Sequence, residues 1–266
     1  MRSARLSWRA AWLWAPGLAA FAAVVALAQT ATSAGFDPTG MIYVDMARHL
    51  AAGDGVAASI YFPSHVPKYP SPIALWPPMY PAAIASLSLL GIDPAVAARA
   101  ISIIGFAVSV ALVWRLGTVL FGDAAGISAA MLMLAWPSVT GVAAMALSEN
   151  LFVMFVLLSV LLTVRVIAAA PERTYRLAAG AGLAMACASL TRYPGLALAA
   201  IGAAALFVSL HGRAWRDRVA LTSLWATAAL LPPAILLVRN RLVTGAFMGA
   251  GRPPDDSGLV YHTLYA

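Results

Sequence analysis

Four short segments hold most of the side chains that could do chemistry, and each lies beside a long apolar run. In the first, Asp37-Pro38 precedes a stretch in which Tyr43, Ala47 and Leu50 recur at helical spacing, with Asp45 among them. A carboxylate just ahead of a proline is suited to hold the free amides of a helix start, so the plain reading is an N-cap and a helix lying on the membrane surface. The second segment runs from Tyr61-Phe62-Pro63 to Trp76-Pro77-Pro78-Met79-Tyr80-Pro81. Its prolines lower the entropy cost of holding one loop shape, and its Trp and Tyr rings suit either a headgroup boundary or the face of a sugar. In the third, Ser148-Glu149-Asn150, a carboxylate opens an apolar run. An ionisable group there is costly unless paired, hydrated or used, although the helix dipole also favours an acid in the first turn. The fourth, Thr191-Arg192-Tyr193-Pro194-Gly195, is a short turn whose arginine could pair with Glu149 or grip a phosphate through two parallel hydrogen bonds. Arg239 and Arg241 close the last apolar run, where snorkelling to headgroups is the simple alternative to a role in binding.

The apolar runs must position these groups. With 62% hydrophobic and 10% charged residues and a mean hydropathy of +0.85, the 266-residue chain has too few polar side chains to cover a water-soluble globule. Backbone crossing hydrocarbon must satisfy its own hydrogen bonds, so the long runs read as helices. They predict an all-α polytopic transmembrane bundle of about seven spans, near 11–29, 98–119, 124–141, 149–169, 176–190, 195–210 and 218–238. The chain reads as one membrane domain over 1–266. Its polar, proline-rich loop at 30–97 lies outside the hydrocarbon and carries juxtamembrane helices near Tyr43–Ala52 and Pro81–Leu90. Pro232-Pro233 should kink the last span.

Charge placement supplies an orientation. Arg2, Arg5, Arg9, Arg115, Arg165, Arg173, Arg176, Arg213, Arg216 and Arg218 all fall at cytoplasmic ends if the N-terminus is inside. The same count puts the 30–81 loop, Ser148-Glu149, the Arg192 turn and the tail after Arg239 on the outer side of a plasma (inner) membrane. The net charge of +7 is scattered over these helix ends rather than gathered on one face, which argues for headgroups as partners and against nucleic acid. A lone Cys187 inside an apolar run excludes an internal disulfide and argues against a cysteine-type zinc site. Residues 1–34 also have the layout of a cleaved signal peptide, a second reading that leaves the later topology unchanged.

Taken in order, the acidic outer loop, Trp76-Pro77-Pro78-Met79-Tyr80-Pro81, Asp93-Pro94 with Ala98-Arg99, Leu120-Phe121-Gly122, Ser148-Glu149 and Thr191 to Gly195 resemble a known superfamily. The chain is similar to the GT-C membrane glycosyltransferases, in the branch of the protein O-mannosyltransferases and lipid A aminoarabinose transferases. The resemblance covers nearly the whole chain and rests on order and spacing rather than on one motif.

That resemblance implies sugar transfer on the outer face from a polyprenyl-phosphate-linked donor, with an acid of the first outer loop acting on the acceptor. On this chain it implies Asp37 as that acid, with Asp45 as second choice, and Glu149 as the acid that orients Arg192 or the acceptor. Arg192 would hold the donor phosphate with help from Arg239 or Arg241, and Tyr43 and Tyr80 would line the substrate site. Many relatives carry paired acids where Asp37 stands. Here Pro38 follows, so no clear ligand set for a divalent metal emerges and no cofactor is assigned. Relatives usually continue with further spans, and the 249–254 region resembles their link into the later part, so the chain reads as a catalytic N-terminal module. A truncated, noncatalytic or lipid-binding module is the alternative. A transporter is disfavoured, because charges inside the spans are nearly absent and no Gly/Pro breaks recur in paired halves.

Overall fold

A proline at the first helical position has no amide hydrogen to leave unbonded, and five of the described helices begin that way, at Pro38, Pro94, Pro137, Pro171 and Pro194. The computed structural model describes residues 7–30, 37–60 and 70–249. Arg2 and Arg5, the aromatic stretch after Tyr61 and most of the 249–254 region lie outside them, and of the expected signal-peptide layout at 1–34 they cover residues 7–30, which are helical.

Among the described residues the chain is all-α, with ten helices and one two-residue strand pair. The order is α1 (Ser7–Thr30), α2 (Pro38–Ala52), β1 (Ala57–Ala58), β2 (Ser71–Pro72), α3 (Met79–Ser88), α4 (Pro94–Phe121), α5 (Asp123–Ala135), α6 (Pro137–Ala144), α7 (Glu149–Ala168), α8 (Pro171–Thr191), α9 (Pro194–Ser209) and α10 (Trp215–Thr244). The strands pair antiparallel, Ala57 with Pro72 and Ala58 with Ser71. Helices α2 and α3 stand at the two stretches, Tyr43–Ala52 and Pro81–Leu90, where short helices were expected.

By length and composition, α4, α7 and α10 are long and apolar enough to cross a membrane, and α5 with α6 makes a fourth span if the bent pair counts as one. The remaining expected spans meet those criteria less fully: Ala15–Thr30 and α9 are apolar but shorter, and α8 carries Arg173 and Arg176 in its first turns. The segment expected to form one span over 124–141 is two helices bent by 65°. Pro137 cannot donate to a preceding carbonyl and drives Trp136 into extended backbone (φ −88°, ψ 108°), which ends α5 there. Pro232 and Pro233 sit inside α10 without interrupting it.

Three apolar clusters hold these elements together. Tyr43, Met46, Tyr80, Ile84 and Ile101 join α2 and α3 to α4, and Phe106, Val110 and Trp114 join α4 to α1, α5 and α6. The third cluster centres on Trp225, which seats α10 against α8 and α9. A Cβ at Gly202 would lie 2.7 Å from the Trp225 ring, so this notch depends on glycine. Glu149 opens α7 and Arg165 lies in its last turn, about 24 Å away along the helix. Arg115, near the end of α4, is an electrostatic neighbour of Arg165, so the basic end of the bundle is the end away from Glu149.

Candidate active site

At the Glu149 end, a cavity of about 320 Å³ opens where α2, α7 and the turn between α8 and α9 converge. Asp37, Tyr43, Trp76, Glu149, Arg192 and Tyr193 are among its walls. The volume is that of a small-ligand site.

Asp37 enters as the cap of α2. Its Oδ1 accepts from the Gly40 amide at 2.7 Å, which fixes the carboxylate and leaves Oδ2 as the oxygen for other partners. Tyr43, one turn further along α2, is buried, and its hydroxyl is 3.0 Å from Ser148 Oγ. Burial pushes the Tyr43 phenol above its ordinary value, while the Ser148 hydrogen bond and the positive charge of Arg192 pull the other way and Glu149 and Asp37 reinforce the rise. The tyrosine is therefore a neutral group amid the charges of the cavity.

Glu149 is the first residue of α7. Ser148 precedes it at the N-cap position but makes no capping bond, its hydroxyl being engaged with Tyr43. Asn150 fixes the start of the helix from behind, donating to Ser102 Oγ at 2.9 Å and to the Val142 carbonyl at 3.3 Å. Arg192 follows α8 in extended backbone (φ −149°, ψ 135°), and its Nη1 donates to Glu149 Oε1. Turning so sharply into α9 requires a close approach: a Cβ at Gly195 would stand 2.6 Å from the Ser189 backbone.

Tyr193 ties this turn to the segment that follows β2. Its hydroxyl donates to the Ala74 carbonyl at 2.6 Å and accepts from Asn240 Nδ2 at 3.0 Å. Burial also raises the Tyr193 phenol, against a lowering by the Asn240 hydrogen bond. Arg239 reaches from α10 to the carbonyls of Ile73 and Val56, each at 3.2 Å, and so clasps the backbone beside both strands.

The sequence-derived candidates thus divide. Asp37, Tyr43, Glu149 and Arg192 share the cavity. Tyr80 lies behind it, its ring 5.0 Å from that of Tyr43 in an edge contact and its hydroxyl donating to the Ala98 carbonyl at 2.8 Å. Asp45 is outside the cavity: its Oδ2 accepts from the amides of Ser59 at 2.6 Å and Ile60 at 3.2 Å. Arg239 serves the loop backbone, and Arg241 turns to the Gly245 carbonyl and the Phe247 ring. Tyr193 and Asn240 have the opposite history, since neither was a candidate alone and both brace the site. A tyrosine beside the arginine of a two-residue turn was the available signal.

His49 adds a polar cluster next to Asp45. Its Nδ1 is 2.8 Å from Asp54 Oδ2 and its Nε2 is 2.8 Å from Ser59 Oγ and 3.8 Å from Asp45 Oδ1. The two carboxylates face opposite ring nitrogens and do not converge on one point. Among the described residues, no group of three or more His, Cys, Asp or Glu side chains is arranged to hold a metal ion.

A family profile described as dolichyl-phosphate-mannose-protein mannosyltransferase matches residues 76–237, more than half of the chain. The chain belongs to that family. The dolichyl-phosphate-mannose-protein mannosyltransferase family is of the GT-C type, membrane glycosyltransferases that draw on polyprenyl-phosphate-linked sugar in general. Comparison with curated proteins and with solved structures gave no match. Trp76, Glu149, Arg192 and Tyr193 fall inside the mannosyltransferase match, whereas Asp37 and Tyr43 precede it and are joined to it through the cavity and the Tyr43–Ser148 contact.

Proposed function

We propose that this chain transfers a sugar from a polyprenyl-phosphate carrier to an acceptor on the outer face of the plasma membrane. Its N-terminus would be cytoplasmic, and it would act as the catalytic module of a GT-C enzyme. The observation that carries the reading is one cavity holding two carboxylates and a guanidinium, Asp37, Glu149 and Arg192, drawn from three separate elements. Sugar transfer needs both kinds of group. An acceptor oxygen attacks the anomeric carbon as its proton passes to a carboxylate, and the bond from that carbon to the phosphate oxygen breaks with its electron pair going to the phosphate.

Asp37 is the base in this reading, because its Oδ1 is anchored by the helix cap and Oδ2 is left to take a proton. Arg192 meets the departing phosphate, being the only arginine among the described cavity walls. Such a phosphate leaves as an anion, so a second carboxylate acting as general acid is not needed, and the ion pair with Glu149 orients Arg192 before the donor binds. Trp76 and Tyr43 supply ring faces and edges for a sugar.

Purified protein in lipid nanodiscs, given a radiolabelled polyprenyl-phosphate sugar and a membrane extract as acceptor source, tests this. Label transferred by wild type and lost in Asp37→Asn supports the assignment. Donor binding without turnover would instead favour a noncatalytic module.

A further inference from the structure

The Glu149–Arg192 pair is half-made on its acidic side. Glu149 gives Oε1 to Arg192, while Oε2 is shut off from solvent with no hydrogen-bond partner among the described residues. A carboxylate ordinarily fills the acceptor capacity of both oxygens, so this anion is under-satisfied where it stands. The two side chains are 37% exposed for Arg192 and 39% for Glu149, which lets water screen their attraction and lets a ligand reach them. Both line the cavity, one from the first residue of α7 and the other from the turn after α8.

A phosphate makes a stronger claim on the same guanidinium. Two of its oxygens match the arginine fork, and it needs no buried orphan atom to do so. We infer that Glu149 holds the phosphate position on Arg192 in the empty site and is displaced when a phosphate-bearing donor binds, an inference that rests on Arg192 being the donor-phosphate residue proposed above. The released carboxylate then faces the cavity that the acceptor must enter. Binding is ordered in consequence, with the donor first and the acceptor second. Until the donor arrives, Asp37 is the cavity carboxylate without a cationic partner among the described residues.

Titration of the 266-residue chain in nanodiscs with farnesyl phosphate tests the exchange. Glu149→Gln keeps the side-chain shape but removes the competing charge, so affinity rises by about 2- to 5-fold, the size of an exposed ion pair written as a binding ratio. In an Arg192→Gln background, where affinity is already lowered, adding Glu149→Gln produces no gain because nothing is left to compete for. Unchanged or weaker binding by a Glu149→Gln protein that melts like wild type overturns the exchange, as does the same gain in both backgrounds. Should Glu149→Gln not fold, Glu149→Asp draws the carboxylate back from Arg192 and makes the same comparison: tightening supports the exchange and no tightening overturns it. If Arg192→Gln binds farnesyl phosphate as well as wild type does, the phosphate role of Arg192 fails and the exchange fails with it. If Arg192→Gln weakens binding while the Glu149 variants do not tighten it, the exchange alone is lost.

Discussion

Tyr43 and Ser148, 105 residues apart in sequence, share a 3.0 Å hydrogen bond that fixes the helix of Asp37 against the helix of Glu149. The serine forgoes capping its own helix to make it. Tyr43→Phe keeps the ring contact with Tyr80 but leaves the Ser148 hydroxyl without this partner, for an expected stability loss of about 1 kcal/mol. Transfer should fall further than stability does, because the spacing of the two acids loosens. A thermal melt beside an initial-rate assay separates the effects, and a variant with wild-type rate would show the bond to be structural only.

Asp37 has two duties that substitution can divide. Asparagine retains a capping oxygen for the Gly40 amide but cannot take a proton, so Asp37→Asn should melt like wild type and lose at least about 100-fold in turnover. Asp37→Ala loses the cap as well and should be less stable by about 1 kcal/mol. Equal melting of the two variants would mean that the cap contributes nothing.

For Asp45 the expected balance is reversed. Its carboxylate holds the Ser59 and Ile60 amides just after β1, so Asp45→Ala strands two backbone donors and should lower stability by about 1–3 kcal/mol. Turnover measured below the melting temperature should drop by less than about tenfold, short of the loss expected for a proton-transfer group. A larger drop with an unchanged melt would return Asp45 to the chemistry.

Alkaline pH should weaken the packing of α2 and α3 on α4 through its tyrosines. Burial raises the Tyr43 and Tyr80 phenols above the ordinary value of 10.0, so the folded state holds these protons where the unfolded chain releases them. Their contribution is intact below about pH 10 and is lost as pH climbs above it. Melting temperature followed from pH 8 to pH 11 should therefore fall at the upper end, and Tyr43→Phe should flatten that fall. A parallel curve for the variant would contradict the assignment.

Much of the scaffold is legible along the chain because its signals are local. Pro38, Pro94 and Pro194 mark helix starts, apolar runs mark α4, α7 and α10, and Ser148-Glu149 and Arg192 stand out as polar groups at the edges of such runs. Pro137 carried the break between α5 and α6, yet the run around it is apolar enough to pass for one span. The partners of Asp45, Arg239 and Tyr193 are different in kind. Asp45 finds amides 14 and 15 residues away, Tyr193 finds Ala74 across 119 residues, and Arg239 finds Val56 across 183. No periodicity encodes such meetings, since they arise only once the helices have docked. An acid or arginine in a promising loop therefore reads alike whether it meets a cavity or a backbone amide.

The clasp made by Arg239 has a consequence for biogenesis. The guanidinium comes from the last described helix, whereas the carbonyls it grips lie beside the two short strands between α2 and α3. A nascent chain has produced Asp37, Glu149 and Arg192 well before that arginine leaves the ribosome. The cavity side chains thus leave the ribosome ahead of their fastener, and the backbone at Val56 and Ile73 is clasped only once α10 has been delivered.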